Sequence, residues 1–271
     1  MNFLWVQLHS SSYFDFFHLL KNPVKKTLVF TPNPEIFVRA YSDSAFLEIL
    51  KQADYNTPDG NGLYVGSMMQ EWLWFFHAGL KVFFLKKQVA QKYGELIKGS
   101  DLTRDIFSYA EQTDKKILMI DNYRIEAPKN SFEVKKMNIQ NSLQTLLKNQ
   151  FPNLSVHLLF YGEKSPQEIA ELIQKESISY VFSCIGMKTQ EQHLVEIFSH
   201  LPGQQATIGI GVWASVDFLL WLQTRAPSGV RALWLEWLYR LMMEPRKRSH
   251  RIWDAVVEFP RIAVMPMKEP R

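Results

Sequence analysis

A short turn in the first quarter of the chain holds a carboxylate. Asp59 lies in the stretch Thr57-Pro58-Asp59-Gly60-Asn61-Gly62, where proline fixes one φ angle and glycine permits backbone shapes that other residues resist. Taken alone, this pattern is typical of a surface loop with a solvated aspartate. Polar blocks elsewhere in the chain favour a functional site instead: Thr31-Pro32-Asn33-Pro34-Glu35, Gly99-Ser100-Asp101-Leu102 and Gln190-Glu191.

Cations and aromatic rings recur near the C-terminus at near-helical spacing. From Arg225 to Arg271 there are ten Lys or Arg against five Asp or Glu, whereas the whole chain has a net charge of only +4. These residues fit binding to a membrane surface or to a diphosphate group; the alternative is a solvated basic helix face with a few packed rings. The cations are Arg225, Arg231, Arg240, Arg246, Lys247, Arg248 and Arg251, and the rings are Trp234, Trp237, Tyr239 and Trp253.

The usual signatures of cofactor and metal chemistry are missing from the sequence. It has no P-loop, CxxC, HExxH or G-x-S-x-G motif, and no D-x-D pair that would hold a divalent cation on a sugar nucleotide. The stretch 209–214 fits G-x-G-x-x-A, but it follows the last predicted strand and contains Trp213, so we interpret Gly209 and Gly211 as lining a donor pocket. We expect no cofactor and no metal; Arg, Lys or helix N-termini would offset the charge of a leaving diphosphate.

The composition is that of a globular protein. The chain has 271 residues, of which 46% are hydrophobic and 21% charged, enough to bury a sizeable core. Its single cysteine, Cys184, excludes an intrachain disulfide and favours a reducing compartment. The N-terminus lacks the pattern of a signal peptide, and no apolar run is long enough for a membrane span. We therefore expect a cytoplasmic protein.

Strands alternate with helices from residue 102 onward, which predicts βαβ units and a mostly parallel sheet. An α/β domain is therefore predicted over residues 1–225, and a basic, aromatic helical appendage over 226–271, with Pro260 ending regular structure. Strands are predicted at 3–8, 27–30, 116–120, 155–160, 179–185 and 205–210. Helices are predicted at 13–20, at 34–51 with a break at Ser42-Asp43, and at 62–74, 102–110, 139–148, 166–174 and 190–199.

A dense apolar cluster at residues 72–85 is closed by Lys86-Lys87. Two interpretations are open. The cluster could form a core helix hairpin, or it could be a membrane-dipping element whose lysines meet lipid headgroups.

In their order along the chain, the T-P-N-P-E, P-D-G-x-G, Q-E and E-W-L-Y-R blocks resemble the WecG/TagA/CpsF family of bacterial glycosyltransferases. The resemblance covers about residues 25–255, and its blocks are specific together but weak alone. It implies a Rossmann-like, mostly parallel sheet with flanking helices and a C-terminal helical appendage that docks on the inner face of the plasma membrane. It also implies an inverting, metal-independent transfer of an N-acetylmannosamine-type sugar from UDP to undecaprenyl-diphosphate-linked N-acetylglucosamine, in teichoic acid, common antigen or capsule synthesis.

Residue roles are implied position by position. Asp59 matches the family's catalytic base, which takes the proton of the acceptor hydroxyl as that hydroxyl attacks the anomeric carbon. The predicted substrate-binding residues are Thr31, Asn33, Asp101, Gln190, Glu191, Gly209 and Gly211. The predicted diphosphate-binding residues are Arg225, Arg240, Arg246 and Arg248. The expected partners are a UDP-sugar donor, a polyprenyl-diphosphate-linked acceptor and an anionic membrane surface, but no nucleic acid, and a homo-oligomer is left open.

The chain departs from the family pattern at several positions. Leu96 stands where the family has an arginine, Trp213 replaces a glycine, and Lys188-Thr189 replaces a Pro-Lys pair. These departures motivate one rival, a non-catalytic membrane-associated homologue acting as an assembly or regulatory subunit. A second rival, a basic nucleic-acid-binding protein, would require strongly salt-dependent binding, and the sequence offers no recognition helix for it.

Overall fold

The structure, a computed structural model, describes residues 1–71, 74–122, 143–212, 250, 251 and 253–265. Its strands are β1 Asn2–Phe3, β2 Val6–Gln7, β3 Thr27–Phe30, β4 Tyr55–Asn56, β5 Lys116–Asp121, β6 Val156–Phe160, β7 Ile178–Ser183 and β8 Ile208–Gly211. Its helices are α1 Tyr13–Lys21, α2 Pro34–Ser42, α3 Ser44–Lys51, α4 Gly62–Gln70, α5 Phe75–Phe84, α6 Lys86–Tyr93, α7 Gly99–Gln112, α8 residues 143–150, α9 Pro166–Glu176, α10 Thr189–Ser199 and α11 Phe259–Ala263. A π-helical turn, Asp254–Glu258, precedes α11.

These elements fall into two compact units. The first unit contains the described residues of 1–16, 31–98 and the C-terminal segment from residue 250. The second unit contains 17–30 and the described residues from 99 to 212. The predicted division at residues 225 and 226 stays a prediction.

A parallel sheet forms the centre of the second unit. Five of its strands pair in the order β3-β8-β7-β5-β6, each parallel to its neighbour. Strands β5 and β7 are apolar runs with four and five of their six residues buried, as expected of strands covered on both faces. Helices α7 and α9 each bury a mainly apolar side, whereas α10 buries apolar residues together with polar ones near its start. The predicted α/β fold, a mostly parallel sheet with flanking helices, is confirmed.

Two local predictions have different outcomes. The predicted break at Ser42-Asp43 is confirmed, because Asp43 caps α3 by accepting a hydrogen bond from the Phe46 N–H at 3.0 Å. The single strand predicted at 3–8 is wrong. It is a hairpin of β1 and β2 whose two turn residues, Leu4 and Trp5, have φ of 51° and 64°. A two-residue turn of type I′ requires positive φ at both positions, and neither leucine nor tryptophan signals this backbone.

The C-terminal segment contributes to the core of the first unit. Phe259 is fully buried, with its ring 5.1 Å from that of Phe3. Gly66 makes this packing possible, since a Cβ there would lie 2.6 Å from Phe259 Cε1. The prediction that Pro260 ends regular structure is wrong: Pro260 lies in the first turn of α11, where the missing N–H is tolerated. Residues 226–249, 252 and 266–271 of the predicted appendage lie outside the described residues.

Helices α5 and α6 carry the apolar cluster. Ala78 and Val82 of α5 are buried together with Tyr64, Met68 and Val89. The core-hairpin interpretation is right for this side of α5, but it is wrong for most of the aromatic residues, which are exposed. Helix α4 ends at Gln70, earlier than the predicted Trp74. No helix in the described ranges has both the length and the apolar character needed to cross a bilayer.

Candidate functional site

The Asp59 turn, Thr57–Gly62, is fixed by backbone hydrogen bonds on two sides. The Asp59 N–H donates to the Pro32 carbonyl at 3.1 Å, and the Ile97 N–H donates to the Pro58 carbonyl at 2.9 Å. Gly60 has a φ of +112°, which only glycine adopts without strain. Thr57 is fully buried and Asp59 is half-buried. The turn therefore holds a partly accessible carboxylate on a rigid backbone.

The T-P-N-P-E block packs directly against this turn. A Cβ on Gly62 would lie 2.7 Å from Pro34 Cγ, so the second glycine of P-D-G-x-G makes room for the second proline of the other block. Asn33 caps α2, its Oδ1 accepting from the Ile36 N–H at 3.0 Å, and Thr31 is buried. Two predicted blocks thus meet in the first unit.

Glu35 ends the same block, and its partner is one of the C-terminal cations. Arg251 Nε donates to Glu35 Oε2 at 2.5 Å. The Glu35 side chain is 9% exposed and that of Arg251 is 33% exposed. This ion pair attaches the C-terminal segment to α2. The sequence does not signal the pair, because 216 positions separate its members.

Breaking this pair is expected to destabilise the protein measurably. Glu35→Gln leaves an arginine that is only partly open to water, so we expect a loss of about 2 kcal/mol in the free energy of unfolding. A double-mutant cycle with Arg251→Gln, followed by denaturant unfolding, measures the coupling. The pair Glu71–Lys92 in the same unit, whose side chains are 49% and 57% exposed, is the matched control, for which we expect a coupling close to zero. Equal coupling in the two pairs would contradict a structural role for Glu35.

In the second unit, Gln190 and Glu191 form a buried polar pair in the first turn of α10. Both residues are at most 1% exposed, and Gln190 Nε2 donates to Glu191 Oε1 at 2.7 Å. Among the described residues, Gln190 Oε1 and Glu191 Oε2 have no hydrogen-bond partner. Burial raises the pKa of Glu191 to about 7, opposed by the hydrogen bond from Gln190. A buried carboxyl with a raised pKa lowers the stability of the fold, and such groups are more typical of functional sites than of positions that only pack.

Three further polar residues of the second unit are Ser183 in β7, His193 in α10 and Asn122 directly after β5. The hydroxyl of Ser183, the last residue of β7, is buried without a described partner, as is His193 Nδ1 in α10. Burial lowers the pKa of His193, whose ring meets Tyr161 edge-on at 5.0 Å. Asn122, after β5, donates its amide to the Ile185 carbonyl at 2.6 Å. Our sequence analysis missed these residues, since isolated Ser, His and Asn give no signal.

The two glycines of β8 differ in what they make room for. A Cβ on Gly211 would lie 3.2 Å from Gln190 Nε2, so this glycine borders the Gln190–Glu191 pair. A Cβ on Gly209 would lie 2.6 Å from Phe198 Cζ, so that glycine allows α10 to pack on the sheet. The predicted substrate contact of each glycine stays a prediction, but packing alone accounts for Gly209.

The remaining predicted residues have mixed outcomes. Asp101 lies in the first turn of α7, its Oδ1 4.0 Å from Arg104 Nη1. Leu96 packs against the apolar cluster of α4, α5 and α6. Arg225, Arg240, Arg246, Arg248 and Trp213 lie outside the described residues. Within the described ranges, no group of three or more His, Cys, Asp or Glu could hold a metal ion; metal independence stays a prediction.

Comparison with known proteins finds one family for nearly the entire chain. Residues 1–270 match the model of the glycosyl transferase WecG/TagA/CpsF family. The relatives include enzymes named N-acetylglucosaminyldiphosphoundecaprenol N-acetyl-beta-D-mannosaminyltransferase. The protein of Bacillus spizizenii is 24% identical over 91% of this chain and 81% of its own length. That of Bacillus subtilis is 22% identical over 100% and 91%, and that of Staphylococcus aureus strain MW2 is 26% identical over 80% and 72%.

Proposed function

Since the chain belongs to the WecG/TagA/CpsF family of glycosyltransferases, we propose that it moves an N-acetylmannosamine-type sugar from a UDP-sugar to polyprenyl-diphosphate-linked N-acetylglucosamine. The names of its relatives state an N-acetylmannosaminyl transfer and an undecaprenyl-diphosphate-linked acceptor. The transfer would build a cell-surface polysaccharide such as teichoic acid, common antigen or capsule.

The proposed chemistry is a single displacement that inverts the anomeric centre. The acceptor hydroxyl oxygen attacks the anomeric carbon on the face opposite the diphosphate, and the bond from that carbon to the diphosphate oxygen breaks as UDP leaves. The Asp59 carboxylate takes the hydroxyl proton as the new bond forms. The observation that carries this proposal is the Asp59 turn, whose hydrogen bonds to Pro32 and Ile97 fix a partly accessible carboxylate. A fixed base loses little freedom when it reaches the transition state.

The second unit supplies the proposed donor contacts. Parallel sheets bind nucleotides at the carboxyl ends of their strands, and Ser183 and Gly211 lie at those ends of β7 and β8. Gln190, beside Gly211, has a carbonyl oxygen without a described partner. The charge of the leaving diphosphate would be offset without metal by Arg225, Arg240, Arg246 and Arg248. The basic tail would hold the enzyme on the inner face of the plasma membrane, where the acceptor lies.

A turnover assay of the full chain tests this function. The purified protein is incubated with a short-chain prenyl-diphosphate N-acetylglucosamine and a panel of UDP-sugars, in the presence of EDTA. We expect UDP release with one donor and a product whose anomeric configuration is opposite to that of the donor. A product of retained configuration, or loss of turnover with EDTA, would contradict the proposed mechanism. UDP binding without turnover would point to another acceptor.

One observation favours the rival, a non-catalytic homologue. Leu96 stands where the family has an arginine, and its side chain packs against apolar residues of the first unit. If that arginine assists departure of the diphosphate, this chain lacks the assistance unless another cation supplies it. Absence of both UDP binding and turnover in the assay would decide for the rival.

A further inference from the structure

One side of α5 is apolar and exposed. Phe76, Leu80, Phe83 and Phe84 follow the spacing i, i+4, i+7 and i+8, which places them on one side of the helix. Phe76 is 74% exposed and Phe84 is 72% exposed, and Trp74, just before the helix, is 82% exposed. We call Trp74, Phe76, Leu80, Phe83, Phe84 and Leu85 the α5 apolar face.

The opposite side of α5 fixes the helix to the first unit. Ala78 and Val82 are at most 3% exposed within the cluster that contains Tyr64, Met68 and Val89. The hydroxyl of Tyr64 in turn donates to the Gly94 carbonyl at 2.6 Å, which joins α4 to the chain after α6. The α5 apolar face is therefore presented by a helix whose other side is packed, and no rotation of α5 could bury both sides.

The segment that carries this face has charges of one sign. Residues 74–93 contain four lysines and no Asp or Glu. Lys81 and Lys87 are exposed, while Lys92 donates to Glu71. A second copy of the chain, placed symmetrically on this face, would bring lysines against lysines. A bilayer with anionic lipids offers an apolar layer beside negative headgroups, which complements both features.

We propose that the α5 apolar face inserts into the boundary between headgroups and acyl chains of an anionic bilayer. The helix has 10 residues, so at about 1.5 Å per residue it is too short to span a membrane and would lie in the membrane plane. Lys81 and Lys87 would meet lipid phosphates at its border. This contact is proposed independently of any contact made by the basic tail. It rests on α5 alone, although an enzyme with a lipid-linked acceptor would use it to stay at the bilayer.

Vesicle partitioning of the full chain tests this contact. The double variant Phe76→Ser/Phe84→Ser is expected to lower the partition coefficient onto phosphatidylglycerol-containing vesicles about tenfold or more. Both side chains are largely in water in the free protein, so the fold should not change. Phe14→Ser is the matched control, because Phe14 is also 72% exposed but lies in α1; its partitioning should equal that of the parent. Lys81→Gln and Lys87→Gln should each cost about fivefold on anionic vesicles.

Insertion itself is measured at Leu80. A Leu80→Cys variant, made in a Cys184→Ser background and labelled with an environment-sensitive fluorophore, should shift its emission to the blue with anionic vesicles. Unchanged partitioning of the double variant, or no shift at position 80, would overturn the proposal. A shift that follows protein concentration without vesicles would also overturn it, in favour of a second copy. Turnover on a soluble acceptor should be equal in the parent and the double variant. If neither protein turned over, the proposed function would be rejected, whereas the proposed membrane contact would still be tested by partitioning.

Discussion

Asp59→Asn is expected to lower turnover about 100- to 10,000-fold, which is the usual contribution of a positioned general base. The substitution keeps the size of the side chain and removes its ability to accept a proton. Its backbone effects should be small, because the Asp59 N–H to Pro32 and the Ile97 N–H to Pro58 are both main-chain hydrogen bonds. The melting temperature and the affinity for UDP should therefore stay close to those of the parent.

The design of this experiment separates a base from a general loss of fold. Asp54→Asn is the matched control, since Asp54 is an exposed aspartate five positions earlier in the same unit, and its turnover should be unchanged. An asparagine before Gly60 is prone to deamidation back to aspartate, so the intact mass is checked and Asp59→Ala is measured in parallel. Turnover in Asp59→Asn equal to that of the parent, at the correct mass, would remove Asp59 from the role of base.

The sequence was informative wherever a residue type determines its own local backbone. Asn33 and Pro34 mark the start of α2, because asparagine caps a helix and proline suits its first turn. Gly60 marks a backbone with positive φ. Apolar runs between helical patterns in the sequence predict the buried strands of the second unit. These signals are local, and the fold class follows from their order.

Tertiary contacts had no such signal. The Glu35–Arg251 pair joins residues far apart in the chain. From the sequence alone, a tail arginine is equally compatible with binding phosphate and with pairing to a carboxylate of the fold. The α5 residues show the same limit: the sequence indicated an apolar helix, but which aromatic residues face water depends on what α4 and α6 leave uncovered. Gly209 was predicted to contact substrate, whereas its close approach to Phe198 accounts for it by packing.

Glu191→Gln is expected to stabilise the protein above neutral pH. Burial raises the pKa of Glu191 to about 7, so the folded state holds this proton more tightly than the unfolded state, in which a glutamate titrates near its ordinary value of 4.5. The stabilisation by the bound proton is present in full below that ordinary value and is lost as the pH rises to about 7. A shift of this size corresponds to a change on the order of 3 kcal/mol across the window. The glutamine variant carries no charge to desolvate, and its amide oxygen can still accept the hydrogen bond from Gln190.

The difference between parent and variant isolates this carboxyl from other titrating groups. His193 shifts in the opposite sense, since burial lowers its pKa and stability falls as the pH drops through its range, but that contribution is common to both proteins and cancels. We expect the free energies of unfolding to agree near pH 4.5 and to differ by about 3 kcal/mol near pH 8, in favour of the variant. Glu171→Gln, at an exposed position of α9, is the control and should show no such difference. A constant difference across the pH range would mean that Glu191 titrates normally. If the variant gained stability and lost turnover, the buried carboxyl of Glu191 would lower the stability of the fold and be needed for activity.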